Sequence, residues 1–180
     1  MASILSSVTN AAHSAAANLL SAAQVQPGAT IPTSVTVKEE APDKTFTFAG
    51  LTGRNVFVGV PGAFTGTCSR QIPGYIKAYG QFKEKGVENI YVVAVNDTFV
   101  MQAWKDNLAP GGTPIRFIAD DTGAFTGAIG LLFDASARLG SPRSKRYVLI
   151  TEGETIQTVI VENATGELTV TAADKVLPLL

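Results

Sequence analysis

Three short apolar segments with helical patterns between them constrain the fold of this chain more than any other feature. Residues 55–60 and 90–95 are almost continuously apolar, and residues 115–119 form a third such run. Runs of this kind are typical of strands that are buried on both faces of a sheet. The intervening segments, residues 69–85 and 98–108, carry apolar side chains at helical spacing. The alternation therefore predicts a βαβαβ core.

The flanking segments extend this core into a mixed sheet. Alternating runs predict further strands, and the last two of these form a hairpin because Glu152-Gly153 lies between them. The additional strands are predicted at residues 34–37, 45–48, 147–151 and 155–161, and additional helices at 123–129 and 172–179. This order predicts an α/β sandwich with a mixed central sheet. Pro73 predicts a kink or a late start in the helix over residues 69–85.

The chain of 180 residues is long enough for one domain and some additional length. We expect residues 1–30 to form an Ala- and Ser-rich extension and residues 31–180 to form the domain. The first 25 residues contain no acidic residue, Lys or Arg, so they lack the basic residues of a mitochondrial presequence or a secretory signal. Their apolar residues follow helical spacing, which favours a helix packed on the domain or on a second subunit.

Composition excludes several classes of function. The net charge of −1 gives no support for a nucleic-acid or membrane-surface partner, and no apolar run is long enough to span a membrane. The basic run that ends at Arg146 is interpreted as a solvated loop. His13 is the single histidine, so hydrolysis by a Ser–His–Asp triad and metal sites with several histidines are not expected. Glycine-rich nucleotide-binding motifs are also missing from the sequence.

Cys68 is the single cysteine and lies between an apolar strand and a helical pattern. The backbone N–H groups and dipole of a helix N-terminus favour a negatively charged sulfur at such a position. Gln71 stands where the second thiol of a C-x-x-C motif would be, and Gly74 where the arginine of a cysteine phosphatase would be. A thiol that reacts with a small molecule and is regenerated from outside remains possible. The alternative is a small buried core residue.

The residues around Cys68 favour the reactive thiol. Thr65 lies three residues earlier, where its hydroxyl could hydrogen-bond the sulfur or a bound oxygen. Pro61 can limit access of water, and Gly62 and Gly66 let the backbone approach a small ligand closely.

This arrangement resembles the active-site signature of the peroxiredoxins, P-x-x-x-T-x-x-C, which Pro61, Thr65 and Cys68 match. The longer text is similar to the peroxiredoxin 5 or type II branch that includes fungal and plant members. The similar segments are P-G-A-F-T-x-x-C-S from Pro61, Ile72-Pro73-Gly74-Tyr75, Val95-Asn96-Asp97, the run from Ala119 to Phe125, and Lys145-Arg146-Tyr147. The resemblance extends from about Val35 to the C-terminus, and it implies a thioredoxin-like α/β fold.

The resemblance also implies roles for these residues in a thiol-dependent peroxidase. Cys68 would attack a hydroperoxide and become a sulfenic acid, Thr65 would orient the substrate, and Pro61 would limit solvent access. Arg146 matches the family's arginine, which stabilises the thiolate and orients the peroxide. Arg143 is the competing candidate for that role. The chemistry requires no metal or organic cofactor.

Two features depart from the pattern of many relatives. Gly66 replaces a proline, and no second cysteine is present to resolve the sulfenic acid. The resemblance therefore implies a one-cysteine enzyme that needs an external thiol as reductant: glutathione with glutaredoxin, or thioredoxin. The alternative functions are a peroxide relay, which passes oxidation from Cys68 to a partner protein thiol, and a non-catalytic binding module on the same scaffold.

The resemblance further implies an antioxidant enzyme that forms a homodimer. Phe64, Phe125 and the loop over residues 138–145 are candidate interface residues, with a core or loop role as the alternative for each. The C-terminal Pro178-Leu179-Leu180 does not match a peroxisomal signal. We expect a cytoplasmic location, with the mitochondrion as the alternative.

Overall fold

A seven-stranded mixed sheet lies at the centre of the protein. The structure, a computed structural model, describes residues 23–180; most of the extension predicted over residues 1–30 lies outside this range. The strands are β1 (Val37–Glu39), β2 (Thr45–Phe46), β3 (Arg54–Gly59), β4 (Val87–Ala94), β5 (Arg116–Ala119), β6 (Leu132–Phe133), β7 (Arg143–Ser144), β8 (Tyr147–Glu152) and β9 (Thr155–Val161). The helices are α1 (Gly66–Glu84), α2 (Thr98–Leu108), α3 (Ala124–Ala128), α4 (Ser136–Leu139) and α5 (Ala173–Val176), followed by a 3₁₀ turn at Leu177–Leu179.

The strand order confirms the predicted mixed sheet. The order is β2-β1-β5-β4-β3-β8-β9, while β6 and β7 form a separate pair. The three central strands β3, β4 and β5 run parallel, as the crossovers through α1 and α2 require. The other four strands join antiparallel on either side. The predicted α/β sandwich is therefore confirmed.

The alternating side chains of the central strands build a core on each face of the sheet. On one face, Val56 and Val58 pack with residues of α1 and α2, among them Tyr75 and Trp104. On the other face, Phe57 packs in an aromatic cluster with Phe48, Tyr91 and Phe125. These residues are at most 1% exposed. The near-continuous apolar sequence of β3 follows from this burial on both faces.

Several predicted boundaries differ from the structure, and two of the differences have a clear physical reason. The first helix begins at Gly66, and it continues without interruption through Pro73. The predicted late start was wrong because Pro73 removes one N–H donor only, while the Ser69 N–H already bonds the Thr65 carbonyl. The first strand is Val37–Glu39 instead of residues 34–37, because Lys38 and Glu39 pair with β5.

Residues 25–31 pack on the domain before the first strand. The Val25 N–H donates to the Ile129 carbonyl, the Gly28 N–H donates to the Ile156 carbonyl, and Ile31 is buried in the aromatic core. In the range 23–180, no helix has the length and apolar content that crossing a membrane requires.

Alanine substitutions at two glycines test whether the sheet is more tightly packed than the surface of α1. A Cβ at Gly59 would overlap the ring of Tyr147, which is fully buried and has little space to move. We therefore expect Gly59→Ala to lower the free energy of unfolding by about 1–3 kcal/mol. Gly80 lies on the exposed surface of α1 with open space around it, so Gly80→Ala should raise the free energy by about 0.5–1 kcal/mol.

Urea denaturation of both variants beside the wild-type protein measures these changes. Equal stabilities for the two variants would contradict the packing that places Gly59 against Tyr147.

Candidate active site

Cys68 lies in the first turn of α1, directly after the loop that follows β3. It is the third residue of the helix and is fully buried among the apolar residues of one core. Because the first N–H groups of a helix lack partners within the helix, they give this position a positive potential. The fold thus buries the sulfur away from water and places it at the positive end of the helix dipole.

The pairing of β3 with β8 brings Arg146 to Cys68. Gly59 at the end of β3 pairs with Tyr147 at the start of β8, so Arg146 lies at the end of the sheet from which the chain turns into α1. Arg146 Nη2 lies 3.4 Å from Cys68 Sγ, although 78 residues separate the two in sequence. The antiparallel register therefore creates this contact.

The other hydrogen bonds of Arg146 leave its positive charge without a carboxylate partner. Nη1 donates to Gln71 Oε1 at 2.6 Å, and Nη2 donates to the Thr165 carbonyl at 2.8 Å. The side chain is 1% exposed, and it makes no salt bridge in the described part of the chain. A buried cation is costly unless a negative charge compensates it. The Cys68 sulfur is the contacting atom that can supply that charge.

A polar network behind Arg146 holds Gln71 in one orientation. Gln71 Nε2 donates to both the carbonyl and the hydroxyl of Thr171 at 3.0 Å, so its amide oxygen faces Arg146. The Tyr75 hydroxyl donates to the same Thr171 carbonyl at 2.6 Å. Burial raises the pKa of Tyr75, which therefore stays protonated as a donor.

Glu162 anchors this network from the loop after β9. Its carboxylate accepts the backbone N–H groups of Thr169, Val170 and Thr171 and the hydroxyls of both threonines, at 2.6–2.9 Å. Burial by itself would raise the pKa of Glu162. The hydrogen bonds from Thr169 and Thr171 outweigh that effect and lower the pKa to about 2. The ionised carboxylate thereby fixes the segment that positions Gln71.

Two hydrogen bonds, one local and one to a distant loop, hold the loop before α1. The Thr65 hydroxyl donates to the Gly62 carbonyl at 2.9 Å, so its lone pairs can still accept a hydrogen bond. The Ala63 N–H donates to Asn96 Oδ1 at 3.0 Å. Phe64 has a φ of 61° and is 54% exposed. The loop is therefore tied down on both sides of an exposed aromatic residue.

An open pocket of about 480 Å³ lies beside this loop. Pro61, Thr65 and Arg146 are among its lining residues, whereas Cys68 is fully buried in contact with Arg146 and does not line it. A small molecule in the pocket would meet the Thr65 hydroxyl and the Arg146 guanidinium before it reached the sulfur. Within residues 23–180, no group of three or more His, Cys, Asp or Glu side chains could hold a metal ion.

The structure separates the two arginine candidates. Arg143 donates to the carbonyls of Val95 and Leu139 at 2.9 and 3.1 Å and makes no hydrogen bond to Cys68. Burial lowers the pKa of Arg143. Arg143 thus connects loops, whereas Arg146 contacts the sulfur.

Three contributors to the site were not predicted from the sequence. Gln71 lies three residues after Cys68, and this helical spacing could have indicated that both face the same neighbour. Thr165 acts through its carbonyl oxygen, which leaves no signal in the sequence. Glu162 acts through a segment seven to nine residues later, so only the folded chain shows its partners.

Comparisons with known proteins agree with this fold. A family model described as redoxin matches residues 26–177. Peroxisomal membrane associated protein 20 of Schizosaccharomyces pombe is 46% identical over 154 residues, which cover 85% of this chain and 97% of that protein. Peroxiredoxin-2C of Oryza sativa subsp. japonica is 40% identical over 126 residues, which cover 69% and 76% of the two chains.

A solved structure gives the same result. Reduced Prx3 of Vibrio vulnificus in complex with hydrogen peroxide is 36% identical, with a TM-score of 0.77, and the match covers 87% of this chain and 100% of that one. Other relatives are named as chloroplastic and as mitochondrial proteins.

The fold and the matches define the class as a thioredoxin-like peroxidase. The chain belongs to the redoxin family and, within it, to the peroxiredoxins of the type II branch. The resemblance recognised in the sequence is confirmed, and the protein is a thiol-dependent peroxidase.

The lowered pKa of Glu162 predicts a specific dependence of stability on pH. Ionisation stabilises the folded state above the ordinary carboxyl pKa of 4.5, and this contribution is lost as the pH falls toward 2. Glu162→Gln keeps the shape but removes the charge and one acceptor oxygen. We expect it to lower the free energy of unfolding at pH 7 by about 1–3 kcal/mol.

Denaturation of both proteins between pH 7 and pH 2.5 measures the effect. The difference between them should shrink below pH 4.5. The matched control is Glu167→Gln, a change on an exposed carboxylate nearby. A difference that stays constant with pH would contradict the role of the charge.

Proposed function

We propose that Cys68 is the nucleophile with which this enzyme reduces hydrogen peroxide and organic hydroperoxides. The thiolate attacks the terminal oxygen of ROOH; an S–O bond forms while the O–O bond breaks. Two electrons pass from sulfur to the peroxide, which leaves a sulfenic acid on Cys68 and an alkoxide or hydroxide. The leaving oxygen takes up the proton that the thiol released and departs as ROH.

The contact between Arg146 and Cys68 is the observation that carries this proposal. A buried guanidinium that faces sulfur, with no carboxylate partner in the described residues, stabilises the thiolate. The same cation can stabilise charge on the leaving oxygen, because it stays in place as the reaction proceeds. Gln71 and Thr165 hold it in that position.

Thr65 and Pro61 complete the site. The Thr65 hydroxyl donates to Gly62, so its oxygen is oriented to accept the proton of a bound hydroperoxide. Pro61 lines the pocket, and its ring limits the access of water to the thiolate. The related Vibrio vulnificus protein is described in complex with hydrogen peroxide, which supports peroxide as the ligand here.

The sulfenic acid requires a reductant from outside the chain, because Cys68 is the single cysteine. Glutathione with glutaredoxin, or thioredoxin, would supply the two electrons, and excess peroxide without such a thiol would produce the sulfinic acid. Sustained turnover with a small thiol would distinguish this enzyme from a relay that oxidises a partner protein. We propose a cytoplasmic location, with the mitochondrion as the alternative.

Substitution of the two arginines tests the catalytic assignment. We expect Arg146→Lys to slow the oxidation of Cys68 by hydrogen peroxide about 100-fold or more, because lysine cannot bond sulfur, Gln71 and Thr165 together. Arg143→Lys is the matched control and should have a much smaller effect, since Arg143 does not hydrogen-bond the sulfur. Cys68→Ser should show no reaction.

Stopped-flow fluorescence measures these rates. The Trp104 indole donates to Ser69 Oγ at 3.2 Å, next to Cys68, so its emission should follow the oxidation. Mass spectrometry of the dimedone adduct identifies the oxidised residue. A larger loss in Arg143→Lys than in Arg146→Lys would refute the assignment.

We also propose that the enzyme forms a homodimer through the loops beside the active site. Phe64 is 54% exposed at the edge of the site, as a contact residue would be in an isolated subunit. The loop over residues 138–145 lies nearby, because Arg143 comes close to Gly62. Phe125 takes the alternative role of a core residue, since it is fully buried against Phe57.

A charged substitution tests this dimer. Sedimentation equilibrium should give the mass of a dimer for the wild-type protein and that of a monomer for Phe64→Asp, because a carboxylate would be desolvated in the interface. Leu179→Asp is the control: this side chain is also 54% exposed but lies at the C-terminus. A wild-type monomer would refute the dimer.

A further inference from the structure

Thr65 stands at the N-cap position of α1 but does not cap the helix. Its backbone is extended, with a φ of −71° and a ψ of 149°, and Gly66 is the first helical residue. A threonine in this position ordinarily accepts a hydrogen bond from the second or third N–H group of the helix, here that of Thr67 or Cys68. In the described first turn of α1, the Thr65 side chain accepts no such bond. Its oxygen can therefore accept a proton from a ligand.

The Gly62 carbonyl holds the Thr65 hydroxyl in this orientation. The hydroxyl donates to the carbonyl oxygen at 2.9 Å, and the Thr65 N–H donates to the same oxygen at 3.4 Å. If the carbonyl turned away, the hydroxyl would lose its acceptor and could rotate to cap the helix. A capping hydroxyl would direct its oxygen to the N–H groups of α1 instead of a hydroperoxide. The direction of one carbonyl thus decides whether Thr65 serves the helix or the substrate.

Asn96 fixes the direction of that carbonyl from the other side of the same peptide group. The Gly62 C=O and the Ala63 N–H belong to one planar trans unit, in which they point in opposite directions. The Ala63 N–H donates to Asn96 Oδ1 at 3.0 Å, and Asn96 lies two residues beyond the end of β4. Because the peptide plane moves as one body, this hydrogen bond keeps the carbonyl turned toward Thr65.

The loop does not favour this arrangement by itself. Phe64, which lies within the turn between Gly62 and Thr65, has a φ of 61°, in the left-handed region that favours glycine. A bulky residue keeps such a conformation only where surrounding contacts impose it. Asn96 supplies a contact of this kind from outside the loop, 33 residues away from Ala63.

We propose that Asn96 is a positioning residue for peroxide reduction, which acts through the Gly62–Ala63 peptide group on the Thr65 hydroxyl. The inference rests on the proposed peroxidase site. The Asn96 amide oxygen accepts the Ala63 N–H. The Gly62 carbonyl accepts the Thr65 hydroxyl, and the Thr65 oxygen accepts the proton of the bound hydroperoxide. Each hydrogen bond in this chain polarises the next, so the loss of the first weakens the last.

Two reagents separate this role from a general effect on Cys68. Hydrogen peroxide offers a proton to the Thr65 oxygen, whereas methyl methanethiosulfonate, a small reagent that thiols attack, carries no O–H or N–H group. Each is mixed with the reduced full-length protein in a stopped-flow instrument, and mass spectrometry identifies the product on Cys68. We expect Asn96→Leu to lower the ratio of the oxidation rate to the thiolation rate about tenfold, as the loss of one hydrogen bond in the transition state would.

Further variants test the route through Thr65. Asn96→Asp keeps the acceptor oxygen and should recover most of the wild-type ratio. The double variant Asn96→Leu/Thr65→Val should show the same ratio as Thr65→Val alone, because the effect of Asn96 needs the hydroxyl. Asn107→Leu is the matched control, since it makes the same exchange at an exposed position of α2 and should keep the wild-type ratio. If leucine at position 96 prevents folding, Asn96→Ala removes the acceptor without added bulk.

The outcomes separate this inference from the proposed function. Slow oxidation of wild-type Cys68 by hydrogen peroxide would mean that the proposed peroxidase site itself is wrong. Fast oxidation of the wild-type protein, with an unchanged ratio in Asn96→Leu, would overturn the role of Asn96 only, even if both rates fell together. Losses that multiply in the double variant would mean that Asn96 acts independently of Thr65, and they would overturn the proposal as well.

Discussion

The buried guanidinium of Arg146 against the sulfur of Cys68 is the interaction on which the rest of the site depends. A cation that is 1% exposed, with no carboxylate partner in the described residues, is costly unless the sulfur carries negative charge. The N-terminus of α1 acts in the same direction on the same atom. Two separate parts of the fold therefore direct positive charge at the same sulfur atom.

The polar network around Glu162 explains how this cation is held without being neutralised. Gln71 and Thr165 bond the guanidinium through neutral oxygens, which orient it but leave its charge for the sulfur. The full negative charge of the network lies farther away, on Glu162, where backbone N–H groups and threonine hydroxyls stabilise it. A carboxylate in direct contact with Arg146 would compete with the Cys68 sulfur for the guanidinium.

The sequence predictions succeeded where local patterns form an element and failed where other contacts decide it. The helix at residues 98–108 and the places of the three central strands, apart from the strand ends, were predicted correctly, because their apolar pattern is local. The helix start at Gly66 was missed. Pro73 suggested a later start, but the hydrogen bond from the Ser69 N–H to the Thr65 carbonyl already forms the first turn. The short elements β6, α4 and β7 were not predicted, because two to four residues carry too little pattern.

The sequence by itself determined the α/β class and the family. It also predicted Cys68, Thr65 and Pro61 as site residues, because the three lie within eight residues and form a local motif. Tertiary structure decided which arginine meets the sulfur, because the register of β3 and β8 selects Arg146 over Arg143. It also brought together Gln71, Thr165 and Glu162, and formed the arginine-lined pocket between α1 and α4. Contacts between residues distant in sequence depend on strand register and loop packing, which leave no local pattern in the chain.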